Sequence, residues 1–132
     1  MKSTFFACLL ILLGSLGCNS AEAPADVSGT VMMDGVPLAE GEIIFVASDN
    51  SKTPAAGTIK DGKYAVQVLP GTKKVKIASS RPTSKPDPVM GSAAREHRIG
   101  PEFNEKSTLT ADIKPGKNEG IDFQVKELAK KK

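Results

Sequence analysis

The stretch "TIKDGKYAV", Thr58 to Val66, decides the fold: two short runs in which apolar and polar residues alternate, with Asp61-Gly62 between them. Alternation with a period of two places one set of side chains on a single face of a strand. Asp-Gly suits the tight type I′ turn, whose two central residues both need positive φ. The stretch therefore predicts a β-hairpin, with Tyr64, Val66 and, just beyond it, Val68 turned inward.

The same pattern continues in both directions. Upstream, "DVSGTVM" sets Val27, Gly29 and Val31 on one face, and Asp34-Gly35 with Pro37 breaks the run with turn chemistry. "EIIFVAS" follows, where four consecutive apolar residues, Ile43 to Val46, predict a strand covered on both faces with Ile43 and Phe45 in the main core, and then "PAAGTIK" as a short third strand. Downstream, Pro70-Gly71 turns the chain into "KKVKIAS", where Val75 and Ile77 point in and Lys74 and Lys76 point to solvent. Leu109, Ala111 and Ile113, a turn at "PGKN", and Ile121, Phe123 and Val125 complete the series. About seven short strands, without helical periodicity or βα alternation, predict an all-β, antiparallel β-sandwich.

One segment breaks the rhythm. Between Ser79 and Ser107 runs a long irregular loop beginning "SSRPTSKPDPVMGSAAREHRIGPEF". Its polar, proline-rich composition predicts a loop separable from the core, and connections this long are usually functional or disordered. Within it "GSAAREHR" has the makings of a single helical turn capped by Ser92.

The N-terminus has a different character. Lys2 precedes an apolar block, Phe5 to Leu13, which is too short to span a bilayer as a helix but has the layout of a signal peptide. The block ends in "LLGSLGCNS", Leu12 to Ser20, which resembles a bacterial lipobox with Gly17 directly before Cys18. That resemblance implies cleavage before Cys18 and acylation of its thiol; ordinary secretory cleavage is the alternative. The expected organisation is a signal peptide over 1–17, a lipidated tether over 18–25, one domain over 26–126 and a lysine-rich tail over 127–132. More than one acyl chain would give stable attachment, and the expected location is the cell envelope.

Composition narrows the functional classes. The chain carries 18 Lys and Arg against 15 Asp and Glu, a formal charge of +3 to which the terminal "KELAKKK" contributes, so no nucleic-acid partner is expected. With Cys8 in the removed segment and Cys18 acylated, the domain has no thiol for a disulfide, and packing alone must hold it.

The order "VSGTVMMDGVPLAEGEIIF", "AGTIKDGKYAV" and "LPGTKKVKI", closed by "PEFNEKSTLTADIKPGKNEGIDFQV", resembles the carboxypeptidase regulatory-like domains of bacterial surface lipoproteins. The resemblance implies a transthyretin-like β-sandwich and, because its motifs are turns and alternating apolar residues, specifies no chemistry.

Enzymes built on such sandwiches need residues that are missing. Hydroxyisourate hydrolases of the transthyretin type use several histidines and a C-terminal Tyr-Arg-Gly-Ser, and intradiol dioxygenases hold iron with two tyrosines and two histidines. This chain has one tyrosine, Tyr64, and one histidine, His97, and ends in lysines. His97 with Glu96 is too little for a zinc site, Asp34 and Asp61 are explained by their turns, and there is no G-x-S-x-G elbow for a serine nucleophile. The expectation is a non-catalytic structural or protein-binding module that needs no cofactor or metal. Its candidate binding loop is Arg81, Lys85, Arg95, His97, Arg98 and Phe103, which would offer donors to an acidic protein or glycan partner. The alternative reading is a carbohydrate-binding module at the envelope, with Phe103 as its one exposed aromatic platform, since the chain has no tryptophan.

Overall fold

The computed structural model describes residues 22–49, 52–83, 85, 88, 89 and 94–129, so Cys18 and the whole N-terminal apolar block lie outside the described residues. The described chain is all-β. Its strands are β1 (Ala25–Met33), β2 (Val36–Pro37), β3 (Glu40–Ala47), β4 (Ala55–Lys60), β5 (Lys63–Val68), β6 (Gly71–Ala78), β7 (Ser80–Pro82), β8 (Arg95–His97), β9 (Thr110–Ile113), β10 (Lys117–Asn118) and β11 (Phe123–Val125). One 3-10 turn, Pro101–Phe103, is the only helical element among the described residues.

The main sheet runs β10-β1-β5-β4-β3-β6-β9, and β7 and β8 form a separate two-stranded ribbon. The expected hairpin is there: Asp61 has φ 50° and Gly62 φ 74°, both positive as a type I′ turn requires. Asp34 and Gly35, at 51° and 81°, make a second such turn between β1 and β2. Lys60 and Lys63 are the one register pair that joins β4 to β5. On either side of that link, β5 pairs with β1 over six positions and β4 with β3 over six.

A short connection forces the sheet to curl. If seven strands lay flat, the outer two would be about 29 Å apart. Yet β9 and β10 are outermost, and only the peptide units from Ile113 to Lys117 join them, a reach of at most about 14 Å. The two edges must therefore approach each other, and the sheet takes a half-barrel form. Asn118 secures this turn from within, accepting from the Lys114 N–H at 3.0 Å and donating to the Lys114 carbonyl at 2.8 Å.

The returning chain departs from the all-antiparallel expectation, because β10 and β11 both pair with β1 in parallel. Asp26 sits opposite Lys117 and Val31 opposite Phe123, so β1 advances by five residues while the returning chain advances by six. The extra residue is absorbed in a bulge where Gly120 has φ 71° and the Ile121 N–H donates to the Ser28 carbonyl. Here the Ile121 backbone presses onto Gly29: a Cβ at Gly29 would stand 2.0 Å from the Ile121 carbonyl oxygen. Gly29, expected as one of a strand's inward set, is a point of backbone contact.

The concave side holds the core, and the alternation was read correctly at most positions, although Val66, Leu109 and Ile121 are only half-buried against it. Val27, Val31, Ile43, Phe45, Tyr64, Val68, Val75, Ile77, Ala111, Ile113, Phe123 and Val125 are all buried, with Leu38 and Ile59 beside them. Phe45, Tyr64 and Phe123 stack in sequence across it, with ring centroids 6.1 and 6.5 Å apart. One charged residue shares this face: Lys73 is buried on β6, two positions before Val75.

Three expectations for the long loop are corrected. Arg95–His97, placed in a helical turn, is instead extended, with Ser80 opposite His97 and Pro82 opposite Arg95; Ser92, its expected cap, lies outside the described residues. Single-residue alternation over so short a stretch left the helical reading open, and pairing with β7 decided it. The segment is also not separable, since Ile99 is buried in the core cluster and bridges to Glu127. Ala94 is buried as well. Finally, Phe103 is half-buried and packs against the core, so it is no exposed platform.

Candidate functional site

Strand directions give the sheet two distinct ends. At one lie the start of β1, the end of β3, the start of β4, the end of β5, the start of β6 and the β9–β10 turn, because Ala25 pairs with Val68, Ala47 with Lys73, Phe45 with Ala55, and Gly71 with Ile113. Residues 22–24 lead into β1 here. Glu22 is tied to the β3–β4 connection by an ion pair with Lys52 at 2.8 Å, and this hydrogen bond lowers the pKa of Glu22 and raises that of Lys52. At the opposite end lie the Asp34-Gly35 and Asp61-Gly62 turns, the end of β6 and, continuing from it, the β7–β8 ribbon.

Most of the residues expected for binding gather on that ribbon. Arg81 and Glu96 face each other across it, with Nε 2.5 Å from the Glu96 carboxylate. Arg81 also reaches Glu127 through Nη1 at 2.9 Å, and hydrogen bonding to Glu96 above all holds its guanidinium more firmly protonated than usual. Arg95 has no acidic partner among the described residues; it donates through Nε to Ser80 Oγ and through Nη2 to the Ser80 carbonyl, both at 2.9 Å. Arg98 places Nε 3.5 Å from the same Glu127 oxygen that Arg81 holds. His97 is exposed on β8. Lys85 is exposed as well, and its carbonyl accepts from Thr83 Oγ1 at 2.8 Å.

Glu127 was missed in the sequence, where it counted as part of a solvated tail. The C-terminal segment is instead fastened at several points: the Glu127 N–H donates to Asp34 Oδ2 at 3.0 Å, the Asp34 N–H to the Val125 carbonyl at 3.1 Å, and the Leu128 N–H to the Arg98 carbonyl at 2.7 Å. Asp34 thus serves both its turn and the end of the chain. Nothing in a single acidic residue beside lysines signals such a role; the apolar residues of the otherwise polar loop, Val89, Met90 and Ile99, were the available hint of packing.

Between the ribbon and the outer face of β3 and β4 lies a groove. Glu40, Glu42, Thr58 and Lys60 form the sheet wall, and Ser80, Arg95 and His97 the ribbon wall. It continues into a smaller concavity of about 340 Å³ bordered by Arg81, Arg95 and Arg98. No family model, curated protein or solved structure matches the chain. The site is therefore read from its own chemistry. Guanidiniums fixed by neighbours at one end of a sheet can donate in set directions to carboxylate or other anionic acceptors. Among the described residues no three of His, Cys, Asp and Glu converge on a point that could hold a metal ion.

Proposed function

We propose that this is a lipid-anchored envelope protein whose β domain, a sandwich of transthyretin-like type, presents the β7–β8 ribbon to a protein partner and does no catalysis. One observation carries the reading: residues 22–24 lead into one end of the sheet, and the arginine-bearing ribbon stands at the other. β1 alone, nine residues long, separates the ends by about 30 Å. If Cys18 is acylated and cleaved at its lipobox, the anchor holds one end at the membrane and the ribbon faces away. The single Lys60–Lys63 link between the two halves of the curled sheet favours the sandwich reading, since two sheets packed face to face would meet at such a corner. The carbohydrate-binding alternative has no comparable support once Phe103 packs against the core.

The test is capture of envelope proteins on the acylated protein and on a variant with Arg81, Arg95 and Arg98 replaced by glutamine. Deleting the loop would be a poor control, because it removes Ile99 from the core. A partner retained by the parent and lost by the charge variant supports the reading. An identical captured set from both refutes display through the ribbon.

A further inference from the structure

The ribbon's cations already hold a carboxylate, and it is the chain's own. Arg81 and Glu96 are register neighbours within the ribbon, a pair that stabilises the ribbon itself. Glu127 arrives from a different part of the chain and has to satisfy two guanidiniums with one oxygen: 2.9 Å from Arg81 Nη1 but 3.5 Å from Arg98 Nε. The second separation is an ion pair and too long for a good hydrogen bond. Arg98 Nε is buried and has no hydrogen-bond partner among the described residues. A buried donor left unmade is costly, and a guanidinium is best matched by both oxygens of one carboxylate.

We infer that Arg81 and Arg98 form a clamp for a side-chain carboxylate of an acidic peptide, and that Glu127 occupies this clamp in the free protein. The inference rests on the ribbon being the displayed surface. Access is through the concavity that Arg81, Arg95 and Arg98 border, and the Glu127 side chain is about one-third exposed, so it can be displaced. A peptide is favoured over a sugar acid because the present occupant is itself an extended piece of chain: Glu127 bridges to Ile99, and the Leu128 N–H donates to the Arg98 carbonyl. The clamp thus accepts a carboxylate delivered on an extended backbone. An incoming carboxylate that sets both oxygens against Arg98 would fill the hydrogen bond that Glu127 leaves unmade.

The probes are a blocked Ala-Glu-Glu-Ala peptide, its Ala-Gln-Gln-Ala counterpart and a uronate oligomer, each titrated into the mature chain while the Arg98 Nε–H resonance is followed by NMR. The acidic peptide is expected to shift that resonance and the glutamine peptide to leave it unmoved. Glu127→Gln, which weakens the internal competitor, should bind the acidic peptide about two- to fivefold more tightly, the worth of a partly exposed ion pair. Arg98→Gln should lose the binding. If amide shifts show that Glu127→Gln disorders the ribbon, Glu127→Asp, which shortens the competitor but keeps the charge, should still tighten binding. Unchanged or weaker binding after release of Glu127, equal response to the glutamine peptide, or binding of the uronate alone would each overturn the inference. Should the clamp behave as expected while the envelope capture is unaffected by the arginine substitutions, the clamp stands and display to a protein partner falls.

Discussion

The phenol of Tyr64 donates to the carbonyl oxygen of Ile121 at 2.6 Å, joining β5 to the bulge in the returning chain. Gly29 is the register partner of Tyr64 and the residue onto which Ile121 presses, so the three positions form one junction across β5, β1 and the bulge. Burial, and next the charge of Asp122, raise the pKa of this phenol well above its ordinary range.

Tyr64→Phe should lower stability by about 1 kcal/mol, because the Ile121 carbonyl loses a neutral donor. A pH dependence follows from the same burial. The unfolded chain ionises its tyrosine near pH 10 while the folded chain resists, so the contribution is whole below about pH 10 and declines as pH rises towards the folded value. Parent and Tyr64→Phe melting curves should therefore converge in alkaline solution. Tyr64 is the only tyrosine, so phenolate absorbance reports the group directly; ionisation in the native protein at an ordinary pH would contradict the argument.

Gly29→Ala should destabilise the domain by more than about 2 kcal/mol, since a Cβ 2.0 Å from the Ile121 carbonyl oxygen forces two backbones apart. Chemical denaturation measures this. A loss no greater than the usual propensity difference between alanine and glycine would show that the bulge relaxes freely.

Ile99→Ala should cost about 2–4 kcal/mol, the range for truncating a large buried aliphatic side chain. Val89→Ala, in the same long connection but fully exposed, should change the melting temperature little. Similar effects at both positions would mean that the segment is not anchored where its burial places it.

Cys18→Ser should release the protein from the membrane fraction if Cys18 carries the acyl chains. Fractionation of cells expressing each form reads the result. A variant that pellets as firmly as the parent would remove the anchor from the proposal.

Strand positions were legible wherever alternation was sustained, as in β1, β5, β6 and β11, because burial of one face repeats every second residue; β3 was legible instead as the apolar run Ile43 to Val46. The Asp61-Gly62 turn was legible for a different reason: few residue pairs tolerate two successive positive φ values. What escaped was set by distant pairing. Nothing local in "REH" reveals that Ser80 to Pro82 lies beside it, and the parallel return of β10 and β11 along β1 depends on the other end of the chain. At the site, the arginines could be singled out as cations but their partners could not. Glu96 is register-determined, and Glu127 is set in place by Asp34 and Ile99, neither close to it in sequence.

The pairing of β1 with the last two strands also sets an order of events in folding. β1 finds β5 within a stretch of some forty residues, and β3 finds β4 within twenty, but Asp26 and Lys117 meet only after nearly the whole domain has been made. A chain emerging from a ribosome or a translocation channel can assemble its hairpins early and still leave one side of β1 open, with Gly29 uncovered and Tyr64 without its acceptor. Closure waits for Ile121 to Val125. A strand edge kept bare for that long invites pairing between nascent copies, and it is the arrival of β10 and β11 on β1 that removes it.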